Sequence, residues 1–332
     1  MPTLYAIRIP DDPLPEATFN RLALLTDEAG RQRLKRFRLW EDALRSLVTR
    51  LTVIWYLNTK GLLPDGQLPT FGRKGKGKPT LATPTLSPPL EFNNTHEGRY
   101  VLFTTLRPDP ASYSATNCIG VDVMIPPLKP GEASEIQEGI SDQLTLREKQ
   151  FLSGLPAASS SSFSINPPGS ARGSGDGDGD ELRAWALTYM WALKEGYTKA
   201  VGEGITFGME RIEVDLGLEA DVGCEIGRDC VSDGQSDPHR SALQRLHVKS
   251  VKVDGKEVSE RGWEYRVGQI DGHGYAVWWR GDEPLETARD QDEVDSLSIE
   301  NVSWDQFEGP LLQLLCGKEL IRGLVSVCAT PS

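Results

Sequence analysis

Ala186, Met190, Leu193, Tyr197 and Val201 recur at steps of three and four, the spacing of a helix that lays one apolar stripe on a core. That spacing predicts a strong helix from about Glu181 to Val201. It begins directly after "AASSSSFSINPPGSARGSGDGDGD" (157–180), a low-complexity run too poor in apolar residues to fold, expected as a disordered insert. Glu195 and Lys199 lie one turn apart with Trp191, on a side of the helix away from Leu193 and Tyr197. Lys194 is also expected partly out of the core. A Glu–Lys pair four residues apart commonly stabilises an exposed helix by about 0.2–0.5 kcal/mol and has no further role. Whether these two side chains share a third partner depends on the rest of the chain.

Before this helix, "TLYAIRI" alternates as a strand, and Thr18 to Leu57 has the spacing of one or two helices. Residues 60–90 are rich in Gly, Pro, Lys and Thr and read as loop and turn. "EFNNTHEG" reads as a strand ending in a turn, with a second strand from Tyr100. "NCIGVDVM" is a short buried strand, and Thr145 to Leu155 a short helix. Strands are expected in "ITFGMERIEVDL" and at 246–255, 263–270 and 274–280, with polar acidic loops at 218–245 and 282–300. Strand and helix content in both halves gives an α+β protein of two similar lobes.

The 332 residues are 38% hydrophobic and 25% charged, and no run of 18 apolar residues is present. Such a chain is expected to be soluble, with no membrane span. The opening "MPTLYAIRIPDDPLP" lacks a basic n-region and an apolar h-region, so a cytoplasmic protein is expected. A net charge of −12 opposes a general nucleic-acid binder, which needs a broad basic surface. The charge is uneven: "RQRLKRFRLWEDALRSLVTR" (31–50) and "GRKGKGK" (72–78) are basic islands, better suited to a small phosphorylated ligand. Five scattered cysteines form no CxxC, and Cys224, Cys230 and His239 match no common zinc spacing.

"GRKGKGKPT" approaches a P-loop, but Pro79 stands where a hydroxyl should bind Mg²⁺ and opposes the helix that should follow. What remains is a flexible cationic loop that can contact a phosphate. His96 follows Thr95 at a turn between apolar strands, so its imidazole need not be buried. Asp122 lies within a run of β-branched residues, where a carboxylate is costly unless paired or metal-bound; capping a strand end near Pro126 and Pro127 is the plainer alternative. Asp122 and Glu195 together could hold one Mg²⁺, with waters and phosphate oxygens completing its coordination. Lys199, one turn on, could neutralise a diphosphate oxygen. That combination suits phosphoryl-type chemistry.

"IGVDVM" followed by "WALKEGYTKAVGEG" resembles the signature of 4'-phosphopantetheinyl transferases of the broad-specificity, surfactin-synthetase type. The pattern is a G-[VI]-D strand and then a W-x-x-K-E-x-x-x-K helix. The likeness extends to "RFRLWEDALRSLVTRL", to "GKP" at 77–79, to "FNNTHEG" and to "ITFGMERIEVDL", in the same order over most of residues 1–215. The insert at 157–180 and the loop at 218–245 resemble insertions of fungal members.

The resemblance implies two α+β lobes related by a pseudo-twofold, with the active site in the cleft between them. Residues 1–115 would form an N-terminal lobe carrying the basic coenzyme A-binding elements, and 116–332 a C-terminal lobe with the metal motif and the signature helix. The implied reaction moves phosphopantetheine from coenzyme A to a serine of an apo carrier protein, with Mg²⁺, releasing 3',5'-ADP. The carriers would belong to fatty-acid, polyketide, nonribosomal-peptide and aminoadipate-reductase (lysine) systems, served by a monomer. Asp122 and Glu195 would be Mg²⁺ ligands, with Glu195 also a base for the serine. Lys199 and His96 would act on the diphosphate. Arg45 and Lys78 would bind the phosphoadenosine end, with Lys74 and Lys76 as weaker candidates in the same loop, and Thr95 would contact coenzyme A. Many bacterial relatives carry an acidic residue where this chain has Met124, so the third metal position falls to water or to Glu148 of "LTLREKQFL". A non-catalytic module binding coenzyme A or another phosphoadenosine ligand is the alternative.

Overall fold

The computed structural model describes residues 1–64, 67–107, 110, 113–129, 131–155, 178–218, 246–281 and 297–328. The insert expected near 157–180 lies almost wholly outside these residues, as do nearly all of the two acidic loops and the Cys224–Cys230–His239 group.

Strand β1 (Thr3–Arg8) leads into three helices, α1 (Glu16–Ala23), α2 (Glu28–Leu34) and α3 (Trp40–Thr59). Asp27 caps α2 by accepting the Gly30 N–H at 2.6 Å, and Glu41 and Asp42 place negative charge at the start of α3, where the helix dipole favours it. A hairpin follows, β2 (Thr70–Lys74) and β3 (Lys78–Thr83), then β4 (Glu91–Glu97), β5 (Tyr100–Leu106) and β6 (Cys118–Met124). Helices α4 (Glu132–Gly139) and α5 (Leu146–Gly154) precede the long α6 (Asp178–Val201). Strands β7 (Ile212–Leu218), β8 (Leu246–Val253), β9 (Lys256–Glu257), β10 (Trp263–Ile270) and β11 (His273–Arg280) come next, then β12 (Ser298–Val302) and α7 (Trp304–Cys328).

Alternation along the strands builds the layers. One sheet, in the order β12-β1-β5-β4, sends Tyr5, Ile7, Val101 and Phe103 into a core with α1, α2, α3 and α7. Its other face, through Leu4, Ala6 and Leu102, packs on a second sheet, β10-β11-β6, through Ile119, Val121, Val123, Tyr275, Val277 and Trp279. The far face of this second sheet presents Ala276 and Trp278 to α6. The result is an α+β fold of helices, sheet, sheet and helix, in which neighbouring residues of one strand serve different cores. A third sheet, β7-β8-β9, closes over α6.

Three expectations change. Residues 70–83 form a β-hairpin, its turn supplied by Gly75 (φ 57°) and Gly77 (φ 126°), where only glycine sits without strain. Ser298–Val302, at the end of a span read as loop and inside the expected C-terminal lobe, instead pairs parallel with β1. Helix α7 follows it onto the same core through Phe307, Leu311 and Leu315. The chain end therefore belongs with residues 1–107 in packing, and a division at 115 does not hold for it. The strand expected within "ITFGMERIEVDL" begins only at Ile212, after two short 3-10 turns. No helix among the described residues is long and apolar enough to cross a membrane.

Candidate active site

The site begins with a glycine. On β6, Ile119, Val121 and Val123 face the other sheet, so Gly120 and Asp122 face α6. A Cβ on Gly120 would stand 2.2 Å from the Gly196 carbonyl oxygen and 2.4 Å from the Ala200 nitrogen. Helix backbone thus lies directly on strand backbone, which only glycine allows. Gly196 makes the matching approach: its Cβ would lie 2.9 Å from Trp278 Cδ1. Trp278 in turn donates its indole N–H to the Leu193 carbonyl at 2.8 Å. The glycines of "IGVD" and "KEGYTK" therefore set how α6 sits, and with it where Glu195 and Lys199 lie relative to Asp122.

Between Ala184 and Ala200 helix α6 is buried almost all round, and its partly exposed edge over the last three turns is Trp191, Glu195 and Lys199. These three line a cavity of about 530 Å³, together with Thr49, Asn94, Thr95, His96, Asp122 and Met124, a size usual for ligand sites. Strand β4 enters from the other side, its hairpin to β5 turning at Gly98 (φ 51°). Thr95 donates to Asp122 Oδ1 at 3.0 Å. The Lys199 ammonium donates to the same oxygen at 2.5 Å and to Thr95 Oγ1 at 3.2 Å. Asp122 is only 6% exposed, so this direct partner offsets its desolvation.

No hydrogen bond or salt bridge engages the Glu195 carboxylate among the described residues. Burial pushes its carboxyl up; Lys199 pulls the other way and the nearby Asp122 adds to the rise. His96 is shifted oppositely: burial, then Arg45 and Lys199, hold its imidazole below 6.5. The cavity thus offers two carboxylates, one ammonium and a neutral imidazole.

Five other candidates lie elsewhere. Glu148 is fully buried, completes a capping box with Thr145, and accepts from the Val214 N–H at 2.8 Å. It also pairs at 3.0 Å with Lys194, which is itself fully buried and bonded to the carbonyls of Gln143, Met209 and Ile212. Both Glu148 oxygens are committed, so it supplies no third metal position, and Lys194 is in the core rather than partly out of it. Lys78 is 7% exposed, with its ammonium bonded to the Ile119 and Ala200 carbonyls at 2.8 and 3.1 Å. It fastens β6 to the end of α6 and is not among the residues lining the carboxylate cavity. Arg45 pairs with Asp42 and donates to the Gly98 carbonyl at 2.7 Å, bracing the turn that carries His96. Lys74 and Lys76 stand on the exposed hairpin, paired with Glu91 and Glu203.

Sequence reading missed the other end of the cleft. The cavity continues past Thr49, Asn94 and His96 into a groove lined by Arg33, Arg50 and Arg73. That groove opens on a basic pocket where Arg36 joins them. The basic island at 31–50 pointed to this region, but it did not say which arginines face the groove.

A groove lined by arginines and ending in two carboxylates and a lysine has the charge pattern that suits a phosphorylated ligand. Residues 12–107 match the family described as 4'-phosphopantetheinyl transferase, N-terminal. The chain is 31% identical to the 4'-phosphopantetheinyl transferase pptA of Paxillus involutus over 221 residues, 64% of this chain and 73% of that protein. It is 27% identical to a phosphopantetheinyl transferase of Thraustochytrium over 269 residues, 80% of this chain and 84% of the relative. The L-aminoadipate-semialdehyde dehydrogenase-phosphopantetheinyl transferase of Rattus norvegicus is 26% identical over 253 residues, 74% of this chain and 64% of its own length. The chain belongs to the 4'-phosphopantetheinyl transferase family.

Proposed function

We propose that the chain transfers the 4'-phosphopantetheine of coenzyme A to a serine of apo carrier proteins, with Mg²⁺, and releases 3',5'-ADP. The observation that carries this reading is the meeting of Asp122, Glu195 and Lys199 on one cavity, in a chain of this family. The serine oxygen forms a bond to the β-phosphorus while the bond from that phosphorus to the bridging oxygen breaks, and the bridging oxygen leaves with 3',5'-ADP. Positioning and charge neutralisation supply most of such a reaction. Lys199, already held at the cavity wall by Asp122 and Thr95, offsets charge on the diphosphate. Glu195, with its carboxyl pushed up by burial, accepts the serine proton directly or through water.

Two carboxylates on a cavity with no thiolate in its lining suit a hard cation that keeps waters and takes substrate oxygens. Among the described residues no group of three or more His, Cys, Asp or Glu has the arrangement of a closed metal site. Asp122 and Glu195 would hold Mg²⁺, with Met124 contributing nothing. When bound, the ion neutralises developing charge on the phosphate oxygens. Arg33, Arg50 and Arg73 replace Arg45 and Lys78 as the residues that receive the phosphoadenosine end.

The carriers served include acyl and peptidyl carriers of fatty-acid, polyketide and nonribosomal-peptide systems. The name of the rat relative supports adding an aminoadipate-reductase carrier. A monomer in the cytoplasm is part of the proposal. Incubation with coenzyme A, Mg²⁺ and a panel of apo-carriers tests the reading: each served carrier gains the mass of one phosphopantetheine. Coenzyme A binding without 3',5'-ADP release from any carrier would mark a binding module instead.

A further inference from the structure

Thr49, on α3, stands between the site and a helix carbonyl. Its hydroxyl oxygen is 2.7 Å from the Arg45 carbonyl oxygen and 3.2 Å from His96 Nδ1. A carbonyl cannot donate, so a 2.7 Å contact between those two oxygens requires the hydroxyl proton to lie on that line. Such bonding to the carbonyl four residues back is a habit of threonine in helices. The hydroxyl has no second proton. Its contact with His96 is therefore a hydrogen bond only if Nδ1 carries the hydrogen and Thr49 accepts it.

We propose that Thr49 is a positioning residue that fixes His96 in the Nδ1–H tautomer and so presents Nε2 to the cavity as a bare acceptor. The ring lines both the carboxylate cavity and the groove that continues from it. No hydrogen bond among the described residues engages Nε2. The charged groups that bear on the ring are Arg45 and Asp42 from α3, Lys199 from α6 and Asp122 from β6; burial and the two cations keep it neutral. Asn94 reinforces the arrangement by donating to the Thr49 carbonyl at 3.1 Å, which ties β4 to the same turn of α3. Thr49 thereby leaves Nε2 able to accept from a hydroxyl but not to donate to a phosphate oxygen.

The catalytic consequence rests on the transferase reading, whereas the tautomer does not. The test is therefore nitrogen-detected NMR of the full chain, with the His96 signals assigned by loss in His96→Gln. Wild type is expected to show hydrogen on Nδ1 and a bare Nε2. Thr49→Val keeps the side-chain shape and removes the acceptor, and should shift His96 toward the Nε2–H form; Thr49→Ser should restore the wild-type pattern. Carrier labelling by Thr49→Val should fall about 3- to 10-fold in kcat, the worth of one hydrogen bond, with Thr49→Ser close to wild type. An Nε2–H tautomer in the wild type, or an unchanged His96 spectrum in Thr49→Val, overturns the proposal whether or not any carrier is labelled. An unaltered kcat in a Thr49→Val protein whose tautomer has shifted overturns the catalytic consequence alone.

Discussion

The Lys199 ammonium of α6 sits 2.5 Å from Oδ1 of Asp122 on strand β6, and not on Glu195 four places before it in the same helix. The surface ion pair suggested by their spacing is not formed. Lys199 instead joins α6 to β6, and the carboxylate of Glu195 is left facing the cavity. Between Ala184 and Ala200 the edge Trp191–Glu195–Lys199 is the part of the helix left partly exposed, and it lines the cavity.

That dependence on close backbone contact gives a first test. Gly120→Ala would put a methyl group 2.2 Å from a helix carbonyl and 2.4 Å from a helix nitrogen. Neither backbone atom can yield without moving α6. A loss of about 1–3 kcal/mol or more is expected by chemical denaturation, with carrier labelling reduced further than stability alone explains.

The Glu148–Lys194 pair is a core element, so its removal should damage the fold. Glu148→Ala leaves Lys194 buried without its carboxylate and should cost about 3–5 kcal/mol in urea unfolding. Any material that remains folded should bind Mg²⁺ and coenzyme A as wild type does, because the pair lies outside the cavity.

Arg33 and Arg50 at the far end of the groove should govern affinity for the phosphoadenosine end. Each change to alanine is expected to weaken coenzyme A binding about 10- to 100-fold, the range for a hydrogen bond to a charged group. Calorimetry against dephospho-coenzyme A should show a much smaller loss. Lys78→Met, by contrast, should lower stability, since Lys78 ties β6 to α6.

His96 supplies a pH dependence. Its folded midpoint lies below 6.5, held there by burial, Arg45 and Lys199. Between that midpoint and 6.5 the unfolded chain binds more protons than the folded one. Stability therefore rises with pH across that window and is lost as pH falls through it. Comparing wild type with His96→Gln by urea unfolding at a series of pH values should show a shallower slope in the variant.

Much of this was legible because it is local. The β-branched run around Asp122, the periodicity of α6 and the strand of Thr95 and His96 each lie within one short stretch, although the turn expected at His96 falls at Gly98. What escaped depends on distant partners. Lys78 looked like a phosphate ligand because its burial comes from Ile119 and Ala200, far along the chain. Glu148 looked free because Lys194 is supplied by another helix. Strands β2 and β12 are mostly exposed, "TFGRK" and "SIENV", and show little of the alternation that marks a half-buried strand. The groove-lining arginines could not be told from Arg45 until the helices were placed.

Everything proposed for the chemistry requires that Asp122 and Glu195 act together. The decisive measurement is Mg²⁺-dependent labelling of an apo-carrier by a fluorescent coenzyme A, using Asp122→Ala and Glu195→Gln proteins whose melting curves match wild type. Both variants should lose activity by ~100-fold or more. Wild-type labelling by either one would show that these carboxylates do not form the site.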